Sequence, residues 1–438
     1  MASILITGGR VIDPVSGGDR TADVAIADGV IKAISPSLPR SPAETVIDAR
    51  GKIVAPGLID PHVHLREPGQ EHKETLATGS RSGVRGGFTT LCCMPNTQPA
   101  LDTPELVGFV AHRARESAQC RVFAVGAATK GRRGEELAEI ALMARAGAVG
   151  FSDDGDCVAS AGVMARVLAG VKPTGLAFMQ HCQEPTMTRG AAMHAGEVST
   201  RLGLVGWARV AEEVIIERDI RLNRAIGCRY HVQHISSADS VEIVRRARAE
   251  GLPVTAEASP HHLLLTHEAC DGYRTAAKVN PPLREARDVE ALREGVADGT
   301  ITVLATDHAP HTAEEKSLPF EEAPFGIVGL ETALPLYAEA LVATGLIGWP
   351  RLIALMTSEP ARLCGLDAPR AGGGGLGRLT VGGPADVTVI DPDAPWTIRA
   401  EAFASRSRNT PFDGRKVRGR AVAVVVGGVA RSLEGPTE

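Results

Sequence analysis

The chain has 438 residues, 48 glycines, 3% aromatic residues and a formal net charge of −5. That is too long for one ordinary core, but it suits one barrel of about 250 residues with extra material. Because no long basic or acidic run occurs, neither a nucleic-acid groove nor a polybasic membrane patch is expected.

The eight cysteines are scattered and form no Cys-x-x-Cys, which argues against a structural zinc knuckle and a disulfide framework. They read as buried thiols of a reducing, cytoplasmic compartment. Met1 to Gly9 carries no basic stretch, and its apolar run is too short for a signal peptide.

Residues 1–55 read as β structure. Ile4–Thr7 runs into Gly8-Gly9, Ala22–Ile26 turns at Ala27-Asp28-Gly29, Val30–Ile34 alternates again, and Thr45–Asp48 follows. Short alternating runs with Asp-Gly and Gly-Gly turns predict hairpins.

From about residue 52 the rhythm changes. Apolar runs alternate with amphipathic segments such as Pro104–Ser117, Gly134–Ala146 and Ser237–Glu250. The runs are Ile53–Ile59, Phe88–Met94, Val122–Ala127, Ala148–Phe151, Leu176–Met179, Tyr230–Val232, Val254–Ala256 and Ile301–Ala305. Eight buried strands alternating with helices predict a closed (β/α)8 barrel over residues 56–370. The glycine-rich Ala371–Gly375 reads as a linker. Beyond it, Pro384–Asp391 and Ala421–Val426 are β again, and the apolar run Ala421–Ala430 has the length of a strand rather than a membrane span. Residues 1–55 and 371–438 are expected to form one composite β-sandwich, since either alone has too little core.

Polar residues follow the apolar runs: His62 and His64, Asn96, Asp153-Asp154, His181, His234, Glu257 with Ser259, and Asp307-His308. The C-terminal ends of barrel strands share one mouth, so these residues are expected to form one cluster. In Asp60-Pro61-His62-Val63-His64-Leu65-Arg66, strand alternation puts His62 and His64 on one face, with Arg66 on that side if the strand continues. Imidazoles and carboxylates suit zinc or a related divalent ion. The candidate ligands are His62, His64, His181, His234, Asp307 and one of Asp153/Asp154, and two ions sharing a carboxylate would use them all. A metal there lowers the pKa of bound water from about 15.7 to about 7 and polarises a carbonyl. Asp307 is then placed to carry the proton from the attacking water to a leaving nitrogen. This is the chemistry of an amide hydrolase. His261, His262, His267 and His308 read as structural or supporting residues, and His72, His112, His194 and His231 as non-ligands.

Asp60–Gly69 resembles the metal-binding signature of the dihydroorotases, within the amidohydrolase superfamily. Met94-Pro95-Asn96-Thr97-Gln98-Pro99, Met193–Glu197, Lys278–Arg284, Thr306–His311 and Pro384–Asp386 are similar to family segments and occur in the family's order. The resemblance implies a distorted barrel with a composite β-sandwich. It also implies reversible cyclisation of N-carbamoyl-L-aspartate to L-dihydroorotate in pyrimidine (UMP) biosynthesis, with one or two zinc ions per subunit. Carried over by position, His62 and His64 bind one ion and His181 and His234 the second, while Asp307 is both ligand and proton shuttle. Arg66, Asn96 and His311 hold the substrate's free carboxylate. His64, Asn280 and the backbone at Phe325-Gly326 make further substrate contacts. Many superfamily members bridge two ions with a carboxylated lysine at the fourth strand. Here the segment is Phe151-Ser152-Asp153-Asp154-Gly155, which resembles the class I dihydroorotases and assigns the bridge to Asp154. A homodimer is expected, and partnership with aspartate transcarbamoylase alongside activity stays open.

Overall fold

The structure is a computed structural model that describes residues 3–41, 44–368 and 375–433. The expected linker therefore lies outside the described residues except for Gly375, as does the expected division at residue 371.

The chain opens with β1 (Ile4–Asp13), β2 (Gly18–Ala27), β3 (Val30–Ser35), β4 (Thr45–Asp48) and β5 (Ile53–Pro56). β2 turns into β3 through Asp28 and Gly29, both left-handed at φ 54° and 78°. This is the backbone an Asp-Gly hairpin turn requires. The strands β6 (Leu58–Val63), β7 (Phe88–Cys93), β8 (Arg121–Ala124) and β9 (Ala177–Gln180) follow, and then a short parallel ribbon of β10 (Met193–His194) and β11 (Gly206–Trp207). β12 (Arg229–Val232), β13 (Val254–Ala258) and β14 (Val303–Leu304) complete the middle of the chain, and β15 (Val387–Thr397), β16 (Lys416–Val426) and β17 (Val429–Arg431) end it.

The middle strands form the barrel. β6, β7 and β8 are parallel neighbours, as are β9, β12, β13 and β14. Between β8 and β9 the fourth position is reduced to Phe151, which bridges Gly126 on one side and Phe178 on the other. Val63 bridges His308 and closes the ring. Its strands are buried on both faces because helices cover the outside. The helix Pro104–Ser117 starts where predicted, with the Thr103 hydroxyl accepting from Leu106 N–H. Ala238–Ala249 is capped in the same way by Ser237, whereas the predicted Gly134–Ala146 is helical only over Ile140–Ala146.

Both chain ends build one eight-stranded sheet in the order β17-β16-β15-β5-β1-β2-β3, with β4 paired to β1. β15 runs antiparallel to β5, so the last segment is sewn directly to the first. Ile4, Ile6, Val24, Ile26, Val54, Val387, Val389 and Val425 form its own core. The composite β unit beside a distorted barrel is thus present.

Three expectations change in detail. The run Ile53–Ile59 is two strands that divide at Gly57: β5 belongs to the outer sheet and β6 to the barrel. At Gly57 the chain passes so close to Thr89 that a Cβ would meet its side chain at 2.0 Å. The run Ala421–Ala430 is a hairpin, because Gly427 and Gly428 take φ 55° and 81° and turn β16 into β17. The barrel strand does not continue to Arg66. β6 ends at Val63 and Arg66 is left-handed at φ 60°, so a turn rather than strand alternation places its side chain.

Candidate metal centre and active site

The barrel mouth gathers His62, His64, Asp154, His181, His234 and Asp307, all buried. Asp154 sits at the middle. Its Oδ1 lies 3.4 Å from His62 Nε2, 3.6 Å from His181 Nδ1 and 3.5 Å from His234 Nε2, and its Oδ2 lies 3.5 Å from His64 Nε2. Two groups with metal-binding geometry therefore share this carboxylate: His62, His64 and Asp154, and Asp154, His181 and His234. Asp307 Oδ1 stands 3.0 Å from His64 Nε2 and 3.5 Å from His62 Nε2.

These residues fit a metal. Ligand atoms held about 2.0–2.1 Å from a tetrahedral ion are about 3.3–3.4 Å apart, close to the spacings around Asp154. His62 Nε2 and Asp154 Oδ1 are buried without a hydrogen-bond partner, an arrangement that costs stability unless something else satisfies them.

Three of the four histidines have the nitrogen opposite Asp154 held by an oxygen acceptor. His62 Nδ1 lies 2.6 Å from Glu257 Oε1, His64 Nδ1 lies 2.8 Å from Asn96 Oδ1, and His181 Nε2 lies 2.9 Å from Gln183 Oε1. Each acceptor takes the N–H at that position and leaves the lone pair of the other nitrogen facing Asp154. Glu257 also contacts His231 Nε2 at 3.0 Å, and His231 Nδ1 reaches Thr255 Oγ1 at 2.8 Å. Burial pushes the Glu257 carboxyl up, but His62 and His231 outweigh it and hold it well below the ordinary carboxylate range. Burial likewise pushes Asp307 up, and His64, His62 and His234 bring it below its ordinary value.

The adjacent aspartates have different surroundings. Asp153 Oδ1 accepts from the backbone N–H of Ala128 and Thr129 at 2.9 and 3.0 Å, and its Oδ2 accepts from the Thr129 hydroxyl. It is absorbed in a turn and faces away from the histidines.

Beside this cluster, Arg66 Nη2 is 3.4 Å from His311 Nε2, and Arg66 Nε donates to Pro310 O at 3.2 Å. His311 Nε2 also lies 2.8 Å from Phe325 O. Burial lowers Arg66 to about 10, and burial together with Arg66, Lys73 and Lys316 lowers His311 to about 2. Asn280 Nδ2 donates to Gln183 Oε1 at 3.1 Å while its Oδ1 is unpartnered. Gly326 is left-handed at φ 147°, where a Cβ would meet Ala309 O and His311 Cδ2 at 2.9 Å. Arg66, His234 and Asp307 are non-glycine residues at φ 60°, 28° and 48°. Such backbone costs about 1–3 kcal/mol per residue and persists where surrounding structure enforces it, as at working sites.

Glu257 lies one residue before the end of β13 and was legible as a polar strand end, but its role as the acceptor behind His62 was not. Gln183 gave a weaker signal, two residues beyond His181. His308, outside the cluster, accepts from Gly329 N–H through Nδ1 and faces Glu74 through Nε2 at 3.5 Å.

The parallel barrel, the composite outer sheet and the shared carboxylate among four histidines define an amidohydrolase. Similarity to known proteins narrows this. A family profile described as Dihydro-orotase-like matches residues 51–240. The dihydroorotase of Pelotomaculum thermopropionicum is 49% identical, with 97% of each chain covered, and that of Solibacter usitatus is 48% identical, also with 97% of each covered. Among solved structures, the L-hydantoinase (dihydropyrimidinase) of Arthrobacter aurescens superposes with a TM-score of 0.88 at 28% identity, covering 99% of this chain and 97% of its own. The D-hydantoinase of a Thermus species gives 0.81 at 26% identity, covering 98% and 94%. This chain belongs to the dihydroorotase family.

Proposed function

We propose that the chain is a zinc-dependent dihydroorotase that interconverts N-carbamoyl-L-aspartate and L-dihydroorotate in pyrimidine biosynthesis. The observation that carries this is Asp154, shared by two histidine pairs, with Asp307 on one side of it and the Arg66–His311 pair close by. The ligands in this reading are His62 and His64 for one ion, His181 and His234 for the other, Asp154 for both, and Asp307 beside the first. Bound zinc supplies a Lewis acid that activates water and polarises the ring carbonyl.

The protein's own groups carry the rest. In ring opening a water oxygen adds to the ring carbonyl carbon, and the bond from that carbon to the ring nitrogen breaks. Asp307 accepts the water's proton and returns it to the departing nitrogen, and closure runs the same steps backwards. Arg66, His311 and Asn96 hold the free carboxylate of the substrate, with Arg66 as its full positive charge. Asn280, His64 and the Phe325-Gly326 backbone fix the ring, and the unpartnered Asn280 Oδ1 supports this.

A turnover assay on the purified, zinc-loaded chain tests the reading, with dihydroorotate and N-carbamoyl-aspartate as substrates, allantoin and dihydrouracil as controls, and metal per chain counted on the same sample. Turnover of the first pair only is the expected result. Preference for dihydrouracil would place the chain with the hydantoinases it superposes on. A homodimer is part of this reading, and association with aspartate transcarbamoylase is compatible with it. Eight free cysteines, seven of them buried, support a reducing cytoplasmic setting. Among the described residues no helix is long and apolar enough to cross a membrane.

Glu257→Gln keeps the shape of the acceptor behind His62 but gives up its charge and its ability to accept from two histidines. Metal affinity, measured by competition with a chelator, is expected to fall about 10–100-fold. Unchanged affinity would remove Glu257 as the residue that orients His62.

A further inference from the structure

Much of the mouth's frame comes from outside the barrel strands. The segment 404–410, which lies between β15 and β16, is stitched to the barrel loops of Lys73 and of Val328–Glu331. Ala404 N–H donates to Glu331 Oε1 at 2.7 Å, Ser407 Oγ donates to Lys73 O at 2.9 Å, and Asn409 O accepts from Val328 N–H at 2.9 Å. Within that segment, Asn409 sends its side chain between the loop of His311 and the loop of Phe325-Gly326, two of those that carry proposed substrate contacts. It is 6% exposed. Its Oδ1 accepts from His311 N–H at 3.2 Å, and its Nδ2 donates to Ala309 O at 2.9 Å and Gly326 O at 3.0 Å.

The partners require an amide. One backbone N–H needs an acceptor and two carbonyls need donors, and the asparagine side chain offers both from one rigid plane. An aspartate would face two carbonyl oxygens with negative charge, and an aliphatic side chain would strand His311 N–H and Ala309 O and take one of two donors from Gly326 O. Lys316 Nζ also reaches Gly326 O at 3.2 Å, and Gly326 N–H donates to Lys278 O at 2.9 Å. Those bonds hold Gly326 from its own side, and Ala309 N–H donates directly to Ile327 O at 3.0 Å. Asn409 adds to that pairing by tying Ala309 O and His311 N–H to Gly326 O through one side chain. His311, so placed, meets Arg66 at 3.4 Å and Phe325 O at 2.8 Å.

We propose that Asn409 is a positioning residue that sets the distance between His311 and Gly326, and through it the fit of the pocket to the substrate's free carboxylate. This rests on the dihydroorotase reading above. Because Asn409 touches neither the metal ligands nor Asp307 in these bonds, its loss acts on substrate binding rather than on the chemical step.

The test compares the wild type with Asn409→Ala, and with the milder Asn409→Ser should the alanine variant not fold. Steady-state kinetics with dihydroorotate, metal per chain and the thermal midpoint are measured on each. The expected result is a KM about tenfold higher, with kcat within about threefold and metal content unchanged. A fall in kcat at constant KM, a loss of metal, or an unaltered KM in the folded variant overturns the proposal while leaving the substrate reading intact. A wild type that does not turn over dihydroorotate overturns the substrate reading and the role of Asn409 with it.

Discussion

Asp307→Asn is expected to fold, to keep most of its metal and to lose turnover by roughly 10³-fold, within the range that general acid–base groups contribute. The fold survives because asparagine has the same shape and tolerates left-handed backbone as well as aspartate does, and Asp307 sits there at φ 48°. His64 Nε2, 3.0 Å away, can accept from the amide nitrogen in place of its contact with the carboxylate. The amide's lack of basicity near neutral pH cannot be made good: it neither takes the proton of the attacking water nor returns one to the ring nitrogen. The loss should therefore be equal in the two directions, because in the proposed mechanism the same proton moves in both. Measuring kcat for ring opening and for ring closure, with metal per chain on the same preparation, checks this. A rate within tenfold of wild type at full metal content would take the proton-shuttle role away from Asp307.

The barrel was legible because its strands are buried on both faces and stand out as apolar runs, each ending in a polar residue. The mouth cluster followed from that rule alone, since His62, His181, His234 and Asp307 share no local motif and meet only through the fold. What the sequence left open is where hydrogen bonding rather than periodicity decides. The split at Gly57 depends on how closely Thr89 approaches the backbone. The fourth strand is reduced to Phe151, and beyond it side chains take over: Ser152 Oγ bonds Gln233 Oε1, and Asp153 bonds the turn at Ala128-Thr129. Arg66 reaches His311 by a left-handed turn that alternation cannot foresee. Asn409 was silent in the sequence, because an asparagine between arginine and threonine before a proline reads as loop material. Its partners lie about 80–100 residues away.

The two neighbouring aspartates offer the sharpest separation of site from scaffold. Asp154→Ala removes the oxygens that lie 3.4–3.6 Å from all four histidines. His62 and His64 still have Asp307 as a third partner. His181 and His234 are left as two ligands, with their facing nitrogens already 2.9 Å apart and able to close on each other. The variant is therefore expected to lose about one ion per chain and to drop at least about 10²-fold in turnover, with stability little changed. Asp153→Ala should do the opposite. It strands the Ala128 and Thr129 N–H groups and the Thr129 hydroxyl, at about 1–3 kcal/mol for each group that water does not reach. The unfolding midpoint in denaturant should move down while metal per chain stays at the wild-type value. Metal analysis and denaturation on the same two proteins decide the matter, because metal loss from the Asp153 variant with a metal-replete Asp154 variant would mean the wrong carboxylate had been placed between the ions.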